Sequence, residues 1–282
     1  MSETGFRIFN QAFSAGAELT YAALLTAFFR PFVPQDKRRR GLPLVFFVYI
    51  LFEIVCNRAA LPQGSFGLIL MVMLLAVSRW IGLEKPSVFL LTLLYFNARI
   101  SSGLMVQSLY FIVERLVPYR LEPPEAVFLR AALLVVLFLL SHASMLAVML
   151  YALQRQMRKQ KMTLHGWELC YLSLVPTAGI LFGQVISRLL VEFKDGVLLQ
   201  LYERHPAFLA VIPVLALLFY AGAYLTIAFQ QGMAALREEQ ATHYMEYQQT
   251  QAIRARIHEA EQFYTRIRGL KHEMRGHLTN IK

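Results

Sequence analysis

The sequence predicts an all-α membrane protein, with about seven transmembrane helices followed by a long cytoplasmic coiled-coil helix. Three observations predict it. Of the 282 residues, 57% are hydrophobic and only 16% are charged, against roughly 45–50% and about 25% in soluble domains. Apolar runs approaching the roughly 20 residues that cross a bilayer recur as far as Gln231. Beyond Gln231 those runs stop and charges become frequent, which divides a polytopic membrane domain (1–231) from a cytoplasmic region (232–282). The composition argues against an ordinary cytosolic enzyme, and it is too apolar and aromatic for a disordered chain.

In chain order the apolar segments are Phe6–Phe29, Leu42–Cys56, Phe66–Ile81, Val88–Val113, Ala126–Leu153, Trp167–Val191 and Phe208–Phe229. The first is the weakest, because Asn10, Gln11, Ser14, Glu18 and Thr20 interrupt it. The second and third are short and leave little room for tilt. The clearest cores are Leu134–Leu140 and Val211–Phe219. No span shows the paired, interrupted half-segments of a secondary transporter.

Charge sets the orientation. Arg30, Lys37, Arg38, Arg39, Arg40, Arg79, Lys85, Arg155, Arg158, Lys159 and Lys161 crowd the odd-numbered connections, with only Asp36 and Glu84 against them. Basic and acidic residues balance in the even-numbered ones. Cytoplasmic loops carry the excess of Lys and Arg, so the N-terminus is expected outside the cell membrane and the tail inside. The net charge of +10 belongs to those loops, and no nucleic-acid partner is expected. Met1–Phe6 lacks a basic start and Glu18 breaks the following run, so no removable signal peptide is expected.

Several polar groups fall at membrane depth. Glu18 and Arg99 both lie near mid-bilayer, with Asn97 and Gln107 on the same helix as Arg99. A lone charge there is costly and calls for a partner, so a Glu18–Arg99 pair is expected, either as a structural tie or as part of a ligand-sensing switch. His142 and Gln184 read as interhelical hydrogen-bond partners, and Pro176 as a kink in the sixth helix. Cys56 and Cys170 fall in opposite leaflets and read as packing residues. Tyr110, Phe111, Tyr119 and Tyr202 gather near the outer interface. They suit either interfacial anchoring or an apolar or peptide-like ligand. The outer connections are too short for a folded sensor domain, so any stimulus is expected to be read by the membrane bundle and its outer loops.

From Met233 there is no Pro, and no Gly until Gly269, which reads as one long helix continuing from the last span. Ile253, Ile257, Ala260, Tyr264, Ile267, Met274, Leu278 and Ile281 recur at alternating steps of four and three, a heptad seam broken once by Lys271. A parallel homodimer is its natural complement. His272 and His277 are five apart, about 140° around a helix, so they do not form the two-His zinc face that needs a spacing of four. With Met274 and Leu278 in the seam, His272 falls on the outward face. There it can meet a bulky phosphate donor while keeping one nitrogen unprotonated near neutral pH. Glu273 beside it could hold or accept a ring proton, and Lys271 and Arg275 could offset phosphate charge.

This order of parts resembles a sensor histidine kinase, closest to the peptide-pheromone and quorum-sensing receptors with an ATP-binding domain of the GHKL superfamily. Their box reads roughly Arg-His-Asp-x-x-Asn-His-Leu; here it is Lys271-His272-Glu273-Met274-Arg275-Gly276-His277-Leu278. The resemblance implies autophosphorylation on His272, an acid/base role for Glu273, a structural role for His277, and transfer of phosphate to an aspartate of a response regulator. Gly276 departs from the family's Asn. ATP and Mg are implied too, bound by a domain that does not occur in these 282 residues. A truncated kinase, inactive by itself, is therefore the expectation. The competing reading is a non-enzymatic membrane scaffold or transporter whose coiled-coil tail merely dimerises it.

Overall fold

The computed structural model describes residues 3–58, 66–116, 124–158, 166–194 and 197–279. Six of the seven apolar segments lie wholly within a helix and the sixth all but its last two residues: α1 (Glu3–Phe29), α2 (Arg38–Arg58), α3 (Phe66–Ile81), α4 (Lys85–Leu116), α5 (Pro124–Met157), α6 (Gly166–Leu189) and, after a short α7 (Leu201–Arg204), α8 (Phe208–Thr279). Among the described residues, five helices are long and apolar enough to cross a membrane: α1, α4, α5, α6 and α8. α3 is apolar but only 16 residues long. α2 carries Arg38, Arg39, Arg40, Glu53 and Arg58 in 21 residues. An unpredicted feature follows α6: strands β1 (Val191–Lys194) and β2 (Val197–Gln200) pair antiparallel, with Val191 opposite Gln200. The sixth helix accordingly ends at Leu189, and it runs unbroken through Pro176.

Contacts divide the chain into two units, Met1–Phe229 and Gln230–Lys282. In the first, the core is built by residues three and four apart on successive helices. Tyr21, Leu25, Phe28 and Phe29 supply α1; Val45, Tyr49, Phe52 and Cys56 supply α2; Leu91, Leu94, Tyr95 and Ala98 supply α4. α4 is the central helix. It packs against α1, α3, α5 and α6, and 67% of its apolar span is buried, against 17–28% in the other four. The outer helices turn large apolar side chains outward, among them Phe47, Leu68, Leu133, Leu140, Leu181 and Leu225. A face of that kind suits acyl chains rather than water. Cys56 is buried as a packing residue should be, but Cys170 is exposed on α6 and does not pack.

Two local devices set the helix positions. Gly82 ends α3 in the left-handed region (φ 86°), where glycine carries no Cβ penalty. Its N–H and that of Leu83 both donate to the Ser78 carbonyl, at 2.9 and 3.2 Å. On α6, Gly179 and Gly183 are spaced by four, so they share a face. That face meets Asn97 at Gly179 and Ile100 and Leu104 at Gly183. Such small residues let α4 and α6 approach closely.

The second unit is helical through Thr279, and from Ala234 to Lys271 its described side chains are exposed. The predicted seam residues Ile253, Ile257, Tyr264, Ile267 and Met274 are all exposed. Thr242, Thr250 and Thr265 donate to carbonyls four residues earlier, and His243 lies between Glu239 and Glu246.

The α4–α6 contact makes a sharp prediction. A Cβ at Gly183 would collide with Ile100, so Gly183→Ala should destabilise by about 1–3 kcal/mol, the usual cost of overpacking. Gly16 has open space around it, so Gly16→Ala should be neutral or stabilising by up to about 1 kcal/mol. Thermal unfolding of the purified protein in detergent reads both; equal melting temperatures for the two variants would refute the close approach.

Candidate functional site

A guanidinium inside an apolar bundle must find both a counter-charge and acceptors for its donors. Arg99, midway along α4, finds them on α2. Tyr49 and Glu53 are four residues apart there and so share a face. The Tyr49 hydroxyl donates to Glu53 Oε1 at 2.7 Å, and Arg99 Nη1 donates to the Tyr49 oxygen at 2.5 Å and to Glu53 Oε1 at 3.3 Å. Glu53 is 6% exposed. Glu18 was the expected partner, and that expectation is corrected: the carboxylate set against Arg99 is Glu53. Glu18 stands half-buried on α1 with an interaction of its own. α1 does reach Arg99, but through an aromatic face. The guanidinium carbon lies 4.5 Å from the centroid of the Tyr21 ring, and 5.8 Å from that of Tyr49, within cation–π range.

His142 ties α5 into the same cluster. Its Nδ1 lies 2.6 Å from the Tyr21 hydroxyl, and its Nε2 lies 3.1 Å from the Arg99 carbonyl and 3.0 Å from Ser102 Oγ. A carbonyl only accepts, so Nε2 carries the proton, and Nδ1 accepts from the Tyr21 hydroxyl. His142 is thus the interhelical partner that the sequence suggested. Tyr95 donates to the Tyr21 carbonyl at 3.1 Å. Four helices are joined through polar groups that leave few loose ends.

One loose end is Asn97. It is fully buried, and neither its Oδ1 nor its Nδ2 has a hydrogen-bond partner. Gln107 and Gln184 line a cleft of about 470 Å³ beside the cluster, together with Tyr21, Arg99, His142 and Arg188. An adjoining pocket of about 320 Å³ is walled by Leu68, Met71, Phe89, Leu93, Phe96 and Ile180. Of the aromatic set, Tyr202 is buried, packs at 5.1 Å from Phe111 and shares a 2.8 Å hydrogen bond with Ser108. Burial pushes its hydroxyl pKa up, and the Ser108 bond acts the other way. Tyr110 packs edge-on against Phe138. Tyr119 lies outside the described residues.

At the other end of the chain, His272 and Glu273 fall within α8. Their side chains, and that of His277, lie outside the described residues, while Lys271 and Met274 are exposed. Among the described residues no group of three or more His, Cys, Asp and Glu gathers to hold a metal. The structure thus brings together Arg99, His142 and the cleft-lining amides. It adds Tyr21, Tyr49, Glu53 and Ser102, which the sequence reading passed over. Glu53 carried a signal, because it is an acid inside an apolar segment with a tyrosine one turn before it.

A predominantly helical chain with several membrane-compatible helices, a buried ion pair and a half-open cleft is the class these features define. No family model, curated protein or solved structure matches the chain.

Removing either charge strands the other, which costs about 3–5 kcal/mol for a fully buried pair. The Arg99 side chain is 25% accessible, which places Arg99→Gln toward the low end. Glu53→Gln should fall in the same range, and the double variant should be more stable than the sum of the single losses requires. A double-mutant cycle on thermal stability checks this; additive losses would show that the two groups do not interact.

Proposed function

We propose that this chain is the sensory and dimerising portion of a membrane histidine kinase in a two-component system. The observation that carries the reading is the position of the His272-Glu273 box. By heptad register it stands off the apolar seam, and it lies near the end of a 72-residue helix whose first part belongs to an apolar bundle. On this reading all seven apolar segments cross the cell membrane, with the N-terminus outside and the tail in the cytoplasm. The 16 residues of α3 rise about 24 Å, short of the roughly 30 Å hydrocarbon core, so the bilayer thins locally there.

The second unit forms a parallel homodimer through Ile253, Ile257, Ala260, Tyr264, Ile267 and Met274. Exposure of that seam in a single chain supports this, since such a stripe in water favours a partner helix. A ligand shifts the bundle, the shift alters the dimer, and His272 meets ATP and Mg held by a domain outside these residues. Glu273 steadies the imidazole or takes its proton. Phosphoryl transfer depends mainly on positioning and charge stabilisation, so reorientation of the helix suffices to gate the rate. The phosphate then passes to a response regulator.

Two experiments test this. In a protein extended beyond Lys282 by its ATP-binding domain, His272→Gln should abolish acid-labile phosphorylation, whereas His277→Gln should retain part of it. Equal incorporation in wild type and His272→Gln would remove the assignment. For the dimer, Ile257→Cys in a background lacking Cys56 and Cys170 should cross-link to its copy on oxidation in nanodiscs. Glu259→Cys, two residues on and off the seam, should not. Cross-linking at both positions, or at neither, would count against a parallel coiled coil.

A further inference from the structure

The cleft beside Arg99 has a lopsided chemistry that the ion pair does not use up. Arg99 spends only Nη1 on Tyr49 and Glu53. Its Nε and Nη2 have no acceptor among the described residues, and the side chain is 25% accessible. Arg188, exposed on α6, lines the same cleft and has no ion pair or hydrogen bond among the described residues. Two guanidiniums therefore face one carboxylate, Glu53, and that carboxylate lies behind Arg99 and does not line the cleft. The space presents a net positive charge and unused planar donors, an arrangement matched to a carboxylate or phosphate. A charge in a site partly screened from water acts more strongly than one at a free surface.

The neighbouring pocket has the opposite character. Its walls are mainly apolar and aromatic, the hydroxyls of Thr92 and Thr177 being spent on their own helices, and it shares Gly67, Phe96, Ile180 and Gln184 with the cleft. Gly67 brings no side chain to that junction. At about 470 and 320 Å³ both spaces fall within the size of small-molecule sites, roughly 300–1,000 Å³. A cationic chamber opening into an apolar one is complementary to a molecule with a single anionic head and a hydrocarbon body.

We propose that this pair of spaces binds an anionic amphiphile, its head between Arg99 and Arg188 and its chain along Phe96, Leu93 and Ile180. The molecule comes either from solution, as a free fatty-acid-like compound, or from the bilayer, as an anionic lipid. Binding deepens the receptor reading by giving the bundle a stimulus. It does not involve His272, so a failure here leaves the phosphorylation assignment untouched, and loss of that assignment leaves the site.

The test uses the full 282-residue chain in nanodiscs of phosphatidylcholine, with a diazirine-bearing fatty acid as photoprobe and mass spectrometry to map the label. Labelling should concentrate on Leu68, Met71, Leu93 and Ile180. Excess dodecanoate or dodecyl phosphate should suppress it, and methyl dodecanoate, which lacks the charge, should not. Arg188→Gln should weaken competition by dodecanoate about tenfold, since losing one such contact is worth roughly 1.4 kcal/mol, and Arg188→Lys should restore part of it. Arg188 is exposed, so its replacement should leave folding intact. A Cβ at Gly103 makes ordinary contact with the His142 ring, at 3.5 Å, so Gly103→Leu, whose larger side chain enters the cleft, should lower labelling, with the melting temperature checked to show that the bundle stays folded. If phosphatidylglycerol nanodiscs abolish labelling, the occupant is a bilayer lipid; if labelling persists there, it is the free amphiphile. Equal competition by the methyl ester, or labelling indifferent to both Arg188→Gln and Gly103→Leu, would overturn the proposal.

Discussion

A guanidinium lodged in an apolar bundle constrains everything around it. Arg99 sits on the most buried helix of the first unit, and its charge can be neither solvated by lipid nor left alone. The helices that surround α4 are arranged accordingly. α2 supplies the carboxylate and a phenol, α1 an aromatic face, and α5 an imidazole for the backbone. Removing the polar set would leave helices of similar greasiness with little to choose one neighbour over another. In lipid, apolar contact between helices has no solvophobic drive, and polar pairs and close packing decide which faces meet. Whether buried polar groups confer such specificity varies between proteins; here the ion pair and its phenols link α2, α1 and α4.

Close packing takes the second role. Gly179 and Gly183 bring α6 close against α4, and the cleft lies beside that contact, walled also by Tyr21 of α1 and by Phe138 and His142 of α5. Its polarity follows from the same source, since Arg99, Gln107 and His142 line it from α4 and α5 and Gln184 and Arg188 from α6. Structural tie and recognition surface thus share one residue. That explains why the cleft is charged although its surroundings are among the most apolar parts of the chain.

The positions of the helices were legible because length and apolarity are properties of a segment alone. Six of the seven runs fall wholly in helices and Trp167–Val191 overshoots α6 by two residues, and the need of Arg99 for a partner was readable from its charge and its apolar surroundings. The partner's identity was not. Glu18 and Glu53 both lie in apolar segments, and choosing between them requires knowing which helix face meets α4, a tertiary fact. Tyr21 shows how the choice resolved: α1 turns a ring toward Arg99, while Glu18 stands one turn earlier. The hairpin after Leu189 was hidden because Val191 reads as the end of an apolar run. Cys170 was misread because a small apolar residue suits a lipid-facing surface as well as a core. That the tail continues the last apolar segment as one helix was legible from its lack of Pro and of Gly before Gly269, since helix continuity is a local property.

Arg99 is held at two ends. Its side chain is fastened to α2, and its peptide oxygen is gripped from α5 by His142. The two holds lie on opposite parts of the same residue, so Arg99 ties α2 to α5 through α4.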